Sequence, residues 1–218
     1  MGGTMKKKNI FWSIFLVCLA VLFTILVQIV DVRAIGPNDS YVGFATLNQA
    51  IFTILKTNEF FYKLTEWVGM IPILIALLYA LVGFGELIET KDLRKVDRNL
   101  LVLAAFYIVV IGVYVFFELY EVNYRPILVD GVLEASYPSS HTMMALCICG
   151  SSLFISKKIF KAQFAKGLNV LCVLIMFLLV AGRLISGVHW FTDILGGLFI
   201  SGALLMIFYT VIDSFCKK

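Results

Sequence analysis

Charge is what this sequence has least of. Only 15% of its 218 residues are Asp, Glu, Lys or Arg, against about a quarter in an ordinary soluble domain. That scarcity excludes a disordered chain, which needs many charges and few apolar residues, and it excludes a typical cytosolic enzyme. There is no internal repeat and no low-complexity segment. The five cysteines, Cys18, Cys147, Cys149, Cys172 and Cys216, are odd in number and four of them lie inside apolar runs. A disulfide-stapled scaffold is therefore excluded. Cys147 and Cys149 are two apart and face different sides of a helix, so they read as small packing residues rather than a metal pair. With no clustered carboxylates and no H-E-x-x-H spacing, no metal or other cofactor is expected.

What the chain has instead is apolar surface. Hydrophobic residues make up 61% of it, including 19 Phe, 9 Tyr and 3 Trp, and the mean hydropathy is +0.97. This is the composition of an integral membrane protein. Crossing the ~30 Å hydrocarbon core takes about 20 apolar residues per helix, so 218 residues leave room for little beyond one compact bundle, residues 1–218. Residues 1–4 read as an expression remnant before a natural start at Met5. Gly2 is followed by Lys6 where a myristoylation signal wants Ser or Thr, and no small-residue cleavage site follows the first apolar run, so an uncleaved span is expected there. The excess of basic residues reports topology rather than a nucleic-acid partner.

Apolar runs fall at about 10–30, 67–84, 100–117, 142–155, 168–182 and 194–212. The fold expected is an all-α membrane protein of six transmembrane helices. The fourth and fifth runs are short, about 21–23 Å at 1.5 Å per residue. To span, each must borrow polar neighbours: Ser139 and Ser140 for the fourth, Arg183 to Ser186 for the fifth. In the long 31–66 connection, Leu47, Ile51, Ile54 and Leu55 recur at helical spacing, which predicts an amphipathic helix in the interface. Thirteen of the 18 Lys and Arg residues fall on the side of the termini and the 85–99 and 156–167 loops. By the positive-inside rule that side is cytoplasmic, in a multi-pass protein of the plasma membrane.

The few ionisable residues on the other side need a reason to be there. Both histidines are among them, in Pro138-Ser139-Ser140-His141 and in Arg183-Leu184-Ile185-Ser186-Gly187-Val188-His189-Trp190-Phe191-Thr192-Asp193, preceded by Arg125-Pro126. His189 and Asp193 are four apart, so on a helix Asp193 accepts a hydrogen bond from one imidazole nitrogen and leaves the other as a directed nucleophile or base. Arg183 and Arg125 offer guanidinium forks for phosphate oxygens, though snorkelling to lipid headgroups is the plainer role for either alone. Ser139 and Ser140 add hydroxyls and unpaired helix-start N–H groups suited to an anion. Together the set is an outfit for phosphoryl transfer through a phosphohistidine without a metal.

At these residues the chain resembles the type 2 phosphatidic acid phosphatase superfamily, which shares fold and site with vanadium haloperoxidases. The family pattern is K-x6-R-P, then P-S-G-H, then S-R-x5-H-x3-D. The resemblance implies His189 as nucleophile, Asp193 as its orienting partner and His141 as general acid, then base. It implies Arg125, Arg183, Ser139 and Ser140 as holders of the phosphoryl oxygens. The expected substrate is a lipid phosphate: phosphatidic acid, phosphatidylglycerol phosphate, or an isoprenyl phosphate or diphosphate. The catalytic segments are expected at the outer membrane boundary, with the active site facing away from the cytoplasm and 31–66 as a lid or entry wall. Three positions depart from the pattern. Glu118 stands where the family has Lys, Ser140 replaces its Gly, and Gly182 replaces its Ser. Glu118 supports an alternative, a weakened relative that binds or moves phospholipids.

Overall fold

The computed structural model describes residues 2–215, with side chains from 6 to 214; the readings made above of Met1, Cys216, Lys217 and Lys218 lie outside them. Among the described residues the architecture is eight α-helices. They are α1 (Gly2–Ile29), α2 (Ala45–Leu55), α3 (Glu59–Val68), α4 (Met70–Thr90), α5 (Arg98–Leu119), α6 (Ser140–Ile159), α7 (Ala162–Ser186) and α8 (Phe191–Phe215). Six helical segments are long and apolar enough to cross a membrane. In hydrocarbon every backbone N–H and C=O must find its partner within the segment, which is why runs of this composition become helices.

The expected spans all appear, and the structure corrects their limits. The second is longer than its apolar run. It starts at Glu59, inside what the sequence reads as connection, and continues to Thr90 with a change of helix at Gly69. Asn58 caps this start by accepting a hydrogen bond from Phe61 N at 3.1 Å. The fourth and fifth spans take in their polar neighbours as expected: α6 begins at Ser140, and α7 runs through Arg183 to Ser186.

The short fourth run has a further cause. α6 is the central helix, the most deeply buried of the six spans. A helix shielded from lipid has no need of a continuous apolar surface, so α6 carries serines that pair with its neighbours. Ser152 bonds Tyr79 Oη at 2.8 Å, and Ser156 bonds Asn169 at 2.8 Å. The outer helices do the opposite and expose Phe11, Ile14, Leu81, Ile108, Leu119 and Phe177. Cys147, Cys149 and Cys172 are buried free thiols, and Cys18 is exposed.

The amphipathic helix forms as α2. Its apolar residues Leu47 and Ile54 are exposed, and it docks through a polar residue. Buried Asn48 donates to Gly43 O at 2.8 Å and to Thr192 Oγ1 at 2.9 Å, and accepts from Thr192 N at 3.2 Å. A two-residue antiparallel ladder, Arg33–Ala34 with Tyr41–Val42, precedes it.

Gly182 shows why its departure from the family serine is required. A Cβ there would lie 2.5 Å from Thr65 Cγ2. Thr65 cannot yield easily, because its hydroxyl bonds Phe61 O at 2.7 Å and Tyr62 O at 3.0 Å. Gly182 thus sets how closely α3 approaches α7. Gly182→Ser, although it restores the family residue, is expected to destabilise the protein by about 1–3 kcal/mol through overpacking. A lowered midpoint of thermal unfolding in detergent checks this.

Candidate active site

Three segments meet at one end of the bundle: the 120–139 connection, the start of α6, and the turn between α7 and α8. The 120–139 connection folds back on itself, with Arg125 N bonding Glu134 O at 3.0 Å. Ser139 N bonds Asp193 O at 3.1 Å, and Trp190 Nε1 bonds Tyr124 O at 2.8 Å. Gly187 ends α7 with a φ of +70°, and a Cβ there would lie 2.2 Å from Lys56 O. Glycine is needed on both counts.

His189 lies in this turn, ahead of α8, so it does not share a helix face with Asp193 as the four-residue spacing predicts. Its Nδ1 is 3.9 Å from Asp193 Oδ2, too far for a hydrogen bond. Nδ1 lies instead 3.1 Å from the Ser136 carbonyl oxygen and 3.1 Å from Ser136 Oγ. A carbonyl only accepts, so Nδ1 carries the proton and Nε2 keeps its lone pair. Asp193 acts one residue further out. It accepts from the Ser136 hydroxyl, from Trp190 N at 2.8 Å and from Asn123 Nδ2 at 3.2 Å. The expected direct pair is thus a relay through Ser136.

Arg183 is fully buried. Its Nη1 donates to Glu66 Oε1 at 2.7 Å and to Thr65 Oγ1 at 3.3 Å, and its Nη2 faces His189 Nε2 at 3.4 Å. The guanidinium carbon also sits 5.6 Å from the centre of the Tyr62 ring. His141, on the first turn of α6, brings Nε2 to 3.6 Å from the same Glu66 oxygen. Arg125 is held by Glu134 at 3.2 Å.

Several of these residues line two neighbouring spaces, while Arg183 stands behind them, buried. The wider is a cavity of about 540 Å³ bounded by Tyr62, Glu66, Tyr114, Glu118, Arg125, Glu134, Ser140 and His141. A narrower recess shares Tyr114, Glu118, Arg125 and Ser140 and ends at Ser136 and His189. Glu118 therefore borders the site rather than pointing away from it. Among the described residues, six buried side chains hold a polar atom with no hydrogen-bond partner. Five of them, Arg125 Nε, Ser139 Oγ, His141 Nδ1, Thr142 Oγ1 and Arg183 Nε, belong to the segments that meet here. Buried polar atoms are nearly always paired, so such a concentration marks a place built for a polar ligand.

Residues 114–215 match the PAP2 superfamily model, which takes in Arg125, Ser139, Ser140, His141, Arg183, His189 and Asp193. Through that stretch, a little under half of its length, the chain is similar to the PAP2 superfamily. A solved structure, "the first transmembrane PAP2 type phosphatidylglycerolphosphate phosphatase from Bacillus subtilis", has the same fold. The TM-score is 0.58 at 21% identity, over 94% of this chain and 98% of that one. No curated protein matches the sequence significantly. Glu66, Thr65, Tyr62 and Asn48 come from outside the matched stretch, and no motif marks them. Ser136 and Asn123 lie inside it but between motifs. The one signal pointing to Ser136 is its position three residues before Ser139.

Burial, with Arg183, Arg125 and His141 nearby, lowers the His189 pKa well below the usual imidazole value, and the bond to Ser136 opposes this only in part. With the folded value depressed, protons go preferentially to the unfolded chain as pH falls through about 6.5. The stability associated with His189 is therefore intact above that pH and is lost below it. The chain has only two histidines, so imidazole NMR can follow each, with His141→Gln giving the assignment. His189 is expected to stay neutral, with the proton on Nδ1, at a pH where a free imidazole is mostly charged.

Proposed function

We propose that this protein is a metal-independent membrane lipid phosphatase, hydrolysing a phosphomonoester or diphosphate of a lipid through a phosphohistidine. The observation that carries the reading is the directed lone pair of His189 Nε2, 3.4 Å from the Arg183 guanidinium, at the end of a recess shared with Arg125 and Ser140. A phosphoryl group entering that recess meets the His189 nucleophile, the Arg125 guanidinium and the N-terminus of α6, with the Arg183 guanidinium 3.4 Å from the attacking nitrogen. These are the fixed donors and dipoles that stabilise developing charge in phosphoryl transfer.

In the first step Nε2 of His189 attacks phosphorus in line. The N–P bond forms, the ester P–O bond breaks, and the leaving oxygen takes its electron pair together with a proton from His141. The Ser136 carbonyl holds the Nδ1 proton as positive charge develops on the ring. In the second step water attacks phosphorus and gives a proton to His141, and the N–P electron pair returns to Nε2. Arg125, Arg183, Ser139 and Ser140 hold the phosphoryl oxygens in both.

Phosphatidic acid, phosphatidylglycerol phosphate and isoprenyl phosphates or diphosphates are the candidate substrates. The neighbouring fold of a phosphatidylglycerolphosphate phosphatase favours including the second. The arrangement suits a headgroup that enters sideways from the outer leaflet of the plasma membrane while its tails stay in lipid, with the termini cytoplasmic. Tyr62 and Glu66 form part of the cavity wall, so the entry wall expected of the 31–66 stretch is supplied by its α3 end.

Phosphate release from a panel of these lipids, with purified protein in detergent, tests the proposal. The wild type is expected to be active with chelator present and inhibited by vanadate, and His189→Ala to be inactive. Loss of either arginine is expected to cost about 10²–10³-fold in turnover. A wild type inert across the panel would favour the alternative, a relative that binds or moves phospholipids. Because Glu118 borders both spaces, Glu118→Lys is expected to raise turnover of ordinary anionic lipid phosphates. Unchanged turnover and affinity would show that its charge does not reach the substrate.

A further inference from the structure

We infer that Glu66, on α3 and outside the family-matched stretch, is the positioning residue that aims Arg183 at the phosphoryl group and ties it to His141; this rests on the phosphatase reading above. A guanidinium has five N–H donors in a rigid plane, and how it is gripped decides which edge it can offer. Glu66 Oε1 at 2.7 Å and Thr65 Oγ1 at 3.3 Å occupy the two hydrogens of Nη1. Nη2 faces His189 Nε2 at 3.4 Å, and Nε has no partner among the described residues. The edge left open is therefore the side-on fork of Nε and Nη2, which suits two phosphoryl oxygens, and its Nη2 corner lies against the attacking nitrogen.

A carboxylate bound to that fork would compete with substrate. Glu66 is bound to the far corner, so substrate has no need to displace it. Among the described residues no other carboxylate lies within ion-pair distance of Arg183. The guanidinium is wholly buried, and a buried charge without a counter-ion is strongly disfavoured. The same Oε1 lies 3.6 Å from His141 Nε2, so one oxygen connects the proposed clamp and the proposed general acid. Its own side chain is 43% exposed at the cavity wall, so the link can form and relax as His141 gains and loses its proton.

Glu66→Ala, Glu66→Gln and Glu66→Asp would be compared with wild type and His189→Ala for kcat, KM and vanadate affinity, with thermal unfolding run on each. Glu66→Ala is expected to lose about 10–100-fold in kcat, the same order as the loss when the hydrogen-bond partner that orients a metal ligand is removed. KM is expected to change little, because the fork that meets the ground-state phosphate is still present. Glu66→Gln should recover part of kcat, since its amide oxygen still accepts from Nη1, and it is the deciding variant if the alanine form does not fold. A wild-type kcat in both the alanine and glutamine variants would overturn the inference while leaving the phosphatase reading intact. So would a defect confined to KM, which would make Glu66 a substrate contact. A wild type inert towards every lipid phosphate would overturn both.

Discussion

Arg183 is a full positive charge with no solvent exposure at all, set near the end of a bundle built from apolar helices. Taking such a group out of water costs several kcal/mol unless a counter-ion and hydrogen bonds replace the solvent. Much of the local architecture meets that demand. α3 supplies Glu66, Thr65 and the Tyr62 ring around the guanidinium. To bring them there α3 must lie close against α7, and Gly182 is the residue that lets it. The second span therefore starts at Glu59, ahead of the α4 helix that would suffice for a simple crossing, and the extra helix α3 forms one wall of the cavity.

The second constraint is on His189. In a nearly dry site a histidine is useful as a nucleophile only if one nitrogen is reliably bare, and the Ser136 carbonyl secures this without any titration. Asp193 is fully buried and takes three hydrogen bonds from Ser136, Asn123 and Trp190. It organises the turn that carries His189 rather than pairing with the ring. For the phosphoryl transfer proposed above this amounts to preorganisation, with the donors in place before any charge develops, in surroundings of low dielectric where each is worth more than in water.

Much of this was legible in the sequence. Six apolar runs could become nothing but membrane-spanning helices, and the two short ones pointed to the segments that carry His141 and Arg183. The spacing of Leu47, Ile51, Ile54 and Leu55 marked α2. Arg125, Ser139, Ser140, His141, Arg183, His189 and Asp193 were each identifiable by type and order, and the structure brings all seven to one end of the bundle. Local spacing misled only where the chain is not helical. The four residues from His189 to Asp193 begin in a turn, so the regular helical offset that would align them does not apply.

What escaped the sequence has one physical reason. Glu66, Thr65, Ser136 and Asn123 act through contacts between residues 53 to 118 positions apart, and no pattern along the chain encodes such distances. A glutamate at the head of an apolar run looks like an ordinary boundary charge. Only when α3 folds against α7 does it become the counter-ion of a buried arginine. By itself the sequence determined the solvent, the number of crossings and the kinds of side chain available for chemistry, because hydropathy and residue type are local properties. The tertiary structure alone decided which edge of Arg183 is open and which nitrogen of His189 is bare, because both depend on what the rest of the bundle brings within 3.5 Å.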